Sequence, residues 1–236
     1  MEIALVASFL SLTALEIILG IDNVVFIALL VVHLPPEQRK KARLIGLSLA
    51  LVFRIAMLFG MTWLMGLTEP LFTLFGIMLS GKDLLMLGGG GFLIYTATNS
   101  IHEEVSGEQE KEMKEYKGSF VKTILQIVLI DIVFSFDSVI TAIGLTDQIY
   151  VIIAAMSIAM IVMLVSASYI SNFITNYPTL KMLALNFVML IGVFLVADGL
   201  GFHIPKGYVY FGMGFSLGVE LLNIVVRKRR NKRADS

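Results

Sequence analysis

The sequence predicts an all-α fold, that of a polytopic membrane protein with seven transmembrane helices. Of its 236 residues, 57% are hydrophobic, whereas an average soluble domain is about 45–50% apolar even with glycine counted. The mean hydropathy is +0.87, and the apolar residues fall into runs of about 20 residues, the length that crosses a bilayer. The lipid bilayer is therefore the first partner that we expect for this chain.

Seven apolar runs lie between charged residues or Pro and Gly breaks. They cover residues 3–32, 43–66, 83–101, 120–144, 149–170, 180–200 and 207–226. The first run has no basic segment of the signal-peptide type before it, so we expect it to remain in the mature protein. Residues 70–80 are apolar but too few to cross, which favours an interfacial or re-entrant piece, or an extension of the third span.

The basic residues predict how the spans are oriented. Most of the 18 Lys and Arg residues fall in the connections after spans one, three and five and in the C-terminal tail. With seven spans, these segments share one side of the membrane. Since cytoplasmic loops carry the excess of Lys and Arg, we expect an integral protein of the plasma membrane with its N-terminus outside and its C-terminus in the cytoplasm.

Charge and cysteine content limit the function classes. The formal net charge is zero, and the basic cluster at residues 227–233 lies beside a span, where it sets topology, so no nucleic-acid partner is expected. The chain has no cysteine. Any cation it binds must therefore be held by oxygen atoms or by the three histidines.

Two similar acidic motifs are the main clue to function. Span one carries EIILGIDNVV and span four carries DIVFSFDSVI. Aligning the motifs pairs Glu16 with Asp131, Gly20 with Ser135, Asp22 with Asp137 and Asn23 with Ser138. Because the two spans run in opposite directions, the motifs predict two inverted three-helix repeats, plus a seventh helix, with a substrate site near the midplane where the repeats meet.

The repeat divides a single transmembrane domain, residues 1–236, into five parts. These are a first repeat at 1–101, a cytoplasmic charged linker at 102–119, a second repeat at 120–200, a seventh span at 207–226 and a basic cytoplasmic tail at 227–236. The mixed charges of the linker are typical of a solvated, flexible connection or a short surface helix.

The spacing of the acids constrains the local backbone. Residues six positions apart on an ideal helix differ by about 120° around the axis and by roughly 9 Å along it, so Glu16 and Asp22 cannot share one narrow face. A local unwinding at Gly20, and another at Ser135, would let each pair of acids converge and would free backbone carbonyl groups as ligands. We therefore predict broken or distorted helices at both positions.

Four carboxylates within the membrane need compensation. Each costs about 2.5–3.5 kcal/mol on insertion scales, and Arg54 in span two is the clear basic candidate within the core. A divalent cation held by the four acids, helped by Asn23 and Ser138, would neutralise them, and an all-oxygen site suits Mg²⁺, Ca²⁺ or Mn²⁺. The alternative is that the acids are protonated or form hydrogen bonds between helices.

Several other residues have two interpretations each. Arg54 is either a movable counter-charge that occupies the acids when metal leaves, or a fixed pair for one of them. Asp198, near the outer end of span six, is either a proton or metal relay or an interfacial acid near a basic neighbour. The glycines at 88–91 and the pair Gly214 and Gly218 predict close helix packing.

Five stretches carry a family resemblance: LEIILGIDNVVFIALL, LVFRIAMLF, SGKDLLMLGGGGFLIYTATNSIHE, LIDIVFSFDSVITAIGL and KMLALNFVMLIGVFLVADGLGFHIPKGYVYF. Together they resemble the TerC family of integral membrane proteins over nearly the whole chain. The resemblance implies membership of the LysE-like transporter superfamily and transport of divalent metal ions, chiefly manganese efflux. Within the family, we expect this chain to be the short form without CBS domains. By that motif the metal site carries over to Glu16, Asp22, Asn23, Asp131, Asp137 and Ser138.

Three function classes remain open. The leading hypothesis is a transporter, not an enzyme, that exports a divalent cation, with Mn²⁺ favoured over Ca²⁺ and Mg²⁺ and with protons as candidate coupling ions. The cation is then a substrate, and no tightly bound cofactor is expected. The second class is a non-transporting membrane partner that supplies metal to secreted proteins or assembles with other membrane proteins.

The third class is an intramembrane aspartyl protease. It is disfavoured because the contexts LGIDN and FSFDS lack the GxGD-type pattern of such enzymes. The sequence leaves the oligomeric state open.

Overall fold

The structure, a computed structural model, describes residues 2–60, 65–74, 77–106, 119–146, 148–202 and 204–234. Within these ranges, some side chains lie outside the description. They are those of residues 2–4, 21, 22, 74, 77, 137, 175, 176, 228 and 230–234. Most of the predicted linker, residues 107–118, also lies outside the described residues.

Helices dominate the described chain, which confirms the all-α membrane class. The helices are α1 (Glu2–Leu19), α2 (Ile21–Val32), α3 (Pro36–Phe59), α4 (Gly81–Ser106), α5 (Phe120–Leu145), α6 (Ile149–Asn176), α7 (Pro178–Gly199) and α8 (Lys206–Ala234). Each predicted span overlaps one of these helices, or the α1–α2 pair. The helix α4 continues through Ser106, so the first residues predicted as linker are helical.

Two short strands lie between α3 and α4. The strands β1 (Pro70–Leu74) and β2 (Ile77–Ser80) pair in antiparallel orientation, with Thr73 opposite Met78. They do not lengthen the third span, whose helix begins at Gly81. The interfacial or re-entrant placement of this segment stays a prediction.

The number of spans depends on how the first helix pair is treated. Among the described residues, six helices, α3 to α8, are long and apolar enough to cross a membrane. The pair α1 and α2 forms a seventh when its two bent segments are taken as one span. Both counts confirm a polytopic membrane protein.

The most extensive helix contacts join the two predicted repeats. The helix α4 packs along α7, α3 packs against α5, and both α1 and α2 pack against α6. Exchanging spans one to three with spans four to six leaves this set of neighbours unchanged. An inverted repeat would produce that pattern, and the repeat itself stays a prediction.

Glycine allows the closest of these approaches, between α4 and α7. A Cβ atom added at Gly90 would lie 2.7 Å from the carbonyl oxygen of Gly192, and one added at Gly192 would lie 2.9 Å from that of Gly90. The prediction of close packing is therefore confirmed for Gly89 and Gly90 but not for Gly88 and Gly91, where an added Cβ has no described neighbour within 4 Å. It is wrong for Gly214 and Gly218 within the described part of this chain, since a Cβ at either has no neighbour within 4 Å.

The helix α8 lies at the margin of the bundle. Only 6% of its membrane window is buried, and its main neighbour is α7. Large apolar side chains such as those of Phe211 and Phe215 are exposed. Since lipid tails are as apolar as these side chains, their exposure in a bilayer carries no penalty of the kind met in water.

Candidate functional site

Span one bends at the centre of its acidic motif. The helix α1 ends at Leu19, α2 begins at Ile21, and the segments on either side of the break differ in direction by 42°. The amide of Gly20 still donates to the carbonyl of Glu16 at 2.9 Å, and the amide of Val24 donates to that of Gly20 at 3.1 Å. The predicted distortion at Gly20 is confirmed, although these two carbonyl groups are not freed as ligands.

Glycine is needed at the bend for steric reasons. A Cβ atom at Gly20 would lie 2.4 Å from the sulfur of Met163 on α6 and 2.9 Å from the carbonyl oxygen of Glu16. Both distances are well below normal contact. Gly20 therefore lets Met163 of α6 approach the backbone at the bend, a position where helices commonly carry glycine.

The second acidic motif has no such bend. The helix α5 runs unbroken from Phe120 to Leu145 and passes through Ser135, so the prediction of a second break is wrong. Serine in a helix interior destabilises the helix less than glycine does. The Ser135 hydroxyl also donates to the Asp131 carboxylate one turn earlier, at 2.9 Å, a contact that helical geometry provides.

A buried arginine joins the two motifs. Arg54 on α3 donates from Nη1 to Glu16 Oε2 at 2.6 Å and from Nη2 to Asp131 Oδ1 at 2.8 Å. All three side chains are at most 2% exposed. The guanidinium thus bridges two acids on different spans. The structure confirms that spans one and four bring these two acids into one cluster.

The two acids of this cluster have different surroundings. Asp131 accepts hydrogen bonds from Arg54, from Ser135 and, at 3.2 Å, from the amide nitrogen of Asn23. Glu16 accepts from Arg54 through Oε2, while its Oε1 atom is buried and has no hydrogen-bond partner in the described part of the chain. The Oδ1 atom of Asn23 and the Nε atom of Arg54 are also buried and have no hydrogen-bond partner among the described residues.

The electrostatics follow from the burial of these groups. With both carboxylates ionised, the cluster of Glu16, Arg54 and Asp131 carries a formal charge of −1. Charged pairs removed from water interact strongly, and breaking a buried pair by deleting one partner typically costs about 3–5 kcal/mol. The cluster therefore fixes the relative positions of α1, α3 and α5.

The predicted metal ligands divide into two groups. Glu16, Asn23 and Asp131 come together, while the buried Ser138 on α5 donates to the carbonyl of Ser135 at 3.2 Å. The side chains of Asp22 and Asp137 lie outside the described residues, so their roles stay predictions. Among the side chains that are described, no group of three or more His, Asp and Glu residues is placed to hold a metal ion.

Arg54 pairs with both acids at once, as the counter-charge interpretation allows and the fixed-pair interpretation, which gave it one acid, does not. Its movement stays a prediction. One feature of the cluster was not predicted. Ser135 was predicted only as the site of a break, yet it is a hydrogen-bond donor to Asp131. The signal for that contact is the four-residue spacing of Asp131 and Ser135 on one helix face.

Asp198 is the next-to-last residue of α7 and is partly buried. Its carbonyl group accepts the amide of Gly201 at 2.9 Å. The relay role proposed from its sequence position stays a prediction.

Charged side chains tie the helices together at the end of the bundle where α2 meets α3. Arg39 donates to the carbonyls of Leu34 and Val32 at 2.9 and 2.8 Å, and an ion pair joins Lys181 on α7 to Glu104 on α4. Burial, together with the nearby charge of Lys181, lowers the pKa of His33 at the end of α2. The ring contacts the carbonyl of Leu29 at 3.1 Å, an ordinary helix-end interaction.

The comparisons with known proteins agree with the membrane fold. A family model described as "Integral membrane protein TerC family" matches residues 1–235. The chain is 48% identical over 219 residues to the UPF0053 inner membrane protein YgdQ of Escherichia coli strain K12, which covers 93% of this chain and 92% of that protein. It is 47% identical over 222 residues to a UPF0053 protein of Haemophilus influenzae, covering 94% of each.

A longer relative matches the same region. The UPF0053 inner membrane protein YoaE of Escherichia coli strain K12 is 47% identical over 230 residues, which is 97% of this chain and 44% of that protein. No solved structure matches the chain.

Proposed function

The chain belongs to the TerC family of integral membrane proteins, and on that premise we propose that it is a transporter exporting divalent cations across the plasma membrane. Mn²⁺ is the favoured substrate. The observation that carries the proposal is the buried cluster in which Arg54 bridges Glu16 on span one and Asp131 on span four.

The location of the charges supports transport. Ionisable residues within membrane spans are expensive and mark ion pathways when they face the interior of a helix bundle. The Glu16 and Asp131 carboxylates are 1% and 2% exposed, so neither faces lipid. The cluster also lies beside the kink at Gly20, and transporters commonly place their sites at interrupted helices.

The chemistry of the side chains supports a hard cation. Carboxylate, amide and hydroxyl oxygens suit Mg²⁺, Ca²⁺ and Mn²⁺. We propose that Glu16, Asp131 and Asn23 bind the ion together with Asp22, Asp137 and Ser138. The preference for Mn²⁺ rests on the family resemblance. Carboxylates that release a cation can take up protons, which makes a proton gradient the proposed driving force.

The proposed topology defines the two sides between which export would move the ion. The basic connections place the C-terminus in the cytoplasm and the N-terminus outside, and two relatives carry the words "inner membrane protein" in their names. We propose the same membrane for this chain. Export then moves the ion from the side of the basic loops to the opposite side.

Purified protein in lipid vesicles tests the proposal. Mn²⁺ flux would be followed with a metal-quenched dye trapped inside, with and without a pH gradient. The parent protein should give protein-dependent flux, and Glu16→Gln should reduce it by at least about tenfold, since the amide keeps the shape of the side chain but not the charge that attracts a cation.

The matched control is Glu103→Gln, which changes an acid at the end of α4 that is hydrogen-bonded to Asn99. This variant should transport like the parent. Flux that is absent from the parent protein would contradict the proposal and favour a non-transporting partner that supplies metal or assembles with other membrane proteins. Flux that survives Glu16→Gln together with Asp131→Asn would remove the cluster from the pathway.

A further inference from the structure

Arg54 occupies the position that a cation would need in order to bind both motifs at once. Its two terminal nitrogens lie 2.6 Å from Glu16 and 2.8 Å from Asp131. An ion that takes one oxygen from each acid must therefore displace at least one of these contacts. We propose that Arg54 is a tethered competitor of the transported ion that reserves the site for divalent cations. This inference rests on the proposed function.

The argument starts from charge. The guanidinium carries one positive charge and forms a charge-assisted hydrogen bond to each acid, and such bonds are roughly twice as strong as neutral ones. A monovalent cation that displaced it from Asp131 would bring no more charge and would forfeit at least that bond. A divalent cation doubles the attraction to the same carboxylates. Only the divalent ion gains from the exchange.

Arginine suits this role better than lysine does. Its planar fork places two donors far enough apart to reach two acids, and it keeps its charge at every physiological pH. Lysine presents one compact ammonium group. Arg54 is also 2% exposed, so water does not weaken its pairing with the acids. The competitor is therefore always charged and always present.

The structure offers the displaced guanidinium a place to go. Glu16 has a buried second oxygen, Oε1, with no hydrogen-bond partner among the described residues, and Arg54 has an unpartnered Nε atom. Arg54 can release Asp131 and keep its charge-assisted bond to Oε2 of Glu16. Asp131, Asn23 and the second oxygen of Glu16 then become available to the ion.

Another buried arginine on the same helix provides the matched control. Arg43 lies on α3, is 9% exposed, and donates to the backbone carbonyl of Ala167 at 3.5 Å. It contacts neither acid of the cluster in the described structure. Arg43→Gln removes a buried guanidinium from α3 without removing the competitor.

The test is equilibrium binding of Mn²⁺ to purified protein in detergent, without any transport step. Arg54→Gln should bind Mn²⁺ about tenfold tighter than the parent, because a like charge beside the ion is gone. Its binding should also weaken in about 100 mM NaCl, compared with the same concentration of N-methyl-D-glucamine chloride, which screens charge equally but is too bulky to enter. The parent and Arg43→Gln should show no difference between the two salts.

A second variant keeps the test decisive if Arg54→Gln does not fold. Arg54→Lys retains the charge but presents one donor group, so it should raise Mn²⁺ affinity by a smaller factor. Parent-like affinity and salt response in Arg54→Lys, or in a folded Arg54→Gln, would overturn the inference while leaving Mn²⁺ binding by the parent intact. Absence of both Mn²⁺ binding and Mn²⁺ flux in the parent would overturn the proposed function as well.

Discussion

The two acidic motifs share a residue pattern but differ in backbone and in hydrogen bonding. The first crosses a 42° bend at Gly20, and the second lies on the unbroken helix α5. Asp131 accepts hydrogen bonds from three side chains, whereas Glu16 accepts one from Arg54, and its Oε1 atom has no hydrogen-bond partner among the described residues. Glu16 and Asp131, which occupy equivalent positions in the two motifs, are therefore held by different numbers of hydrogen bonds.

This difference indicates separate roles for the two motifs. A carboxylate fixed by three donors on a straight helix is a stationary point of the site. Glu16 has Arg54 as its ion-pair partner and a second oxygen without a hydrogen-bond partner among the described residues, and it lies four residues before the kink, so it can change its pairing. Transporters need both a fixed and a movable part around their substrate. We therefore assign the fixed part to α5 and the movable part to the junction of α1 and α2.

The largest expected contrast is in stability when each acid is replaced by an apolar residue of similar size. Asp131→Val should lower the free energy of unfolding by about 3–5 kcal/mol, because it breaks a buried pair and strands two further donors. Glu16→Met should cost less by about 1–3 kcal/mol, the penalty of those extra unsatisfied groups. Thermal unfolding of purified protein in detergent measures both.

A triple variant is the control for this contrast. Glu16→Met, Arg54→Met and Asp131→Val together remove the whole ionic cluster, and apolar replacement of a buried ion pair is often neutral or stabilising. The triple variant should be more stable than Asp131→Val alone. Equal losses from Asp131→Val and Glu16→Met would refute the assignment of a fixed and a movable acid.

A smaller contrast concerns glycine at the bend. Gly20→Ala should destabilise the protein by about 1–3 kcal/mol, the usual cost of overpacking, because the new methyl group would lie 2.4 Å from Met163. Gly144→Ala on α5 adds the same group where nothing lies within 4 Å, so it should be neutral or slightly stabilising. Unfolding temperatures of the two variants decide the matter, and similar values would mean that the bend is not sterically set.

The smallest expected effect is at Ser135. Ser135→Ala should cost about 0.5–1.5 kcal/mol, the net value of one typical hydrogen bond, because Asp131 keeps its bonds to Arg54 and Asn23. Ser157→Ala is the control, since Ser157 donates only to the backbone carbonyl of Ile153 on its own helix. If Ser135→Ala lowers the free energy of unfolding by no more than Ser157→Ala does, the hydrogen bond from Ser135 does not stabilise Asp131.

The sequence predicted the membrane fold well because the apolar runs are long and their ends carry charges or breaks. The bend at Gly20 was also predictable, since glycine and the six-residue spacing of the acids both pointed to it. The same reasoning was wrong at Ser135, where serine maintains the helix and bonds to Asp131. The paired strands β1 and β2 were not specified by the sequence, since a short apolar run does not separate strand from helix.

The sequence left two roles open for Arg54, a counter-charge for the acids or a fixed pair for one of them, and it could not choose between them for a physical reason. Composition identified Arg54 as the clear basic candidate within the core, but its partners depend on how α3 packs against α5. That packing relies on Gly46, where an added Cβ would lie 2.9 Å from Ile127. Which acids an arginine reaches is set by such contacts, and a single sequence does not give the distances.

Mn²⁺ binding stoichiometry tests most directly the central claim, that the two motifs form one cation site. Equilibrium dialysis of purified protein should give one Mn²⁺ per chain. Asp22→Asn and Asp137→Asn should each abolish most of the binding, and the double variant should be little worse than either, because residues that act as a unit are not additive. Two independent Mn²⁺ ions per chain, or binding that survives the double variant, would contradict the account.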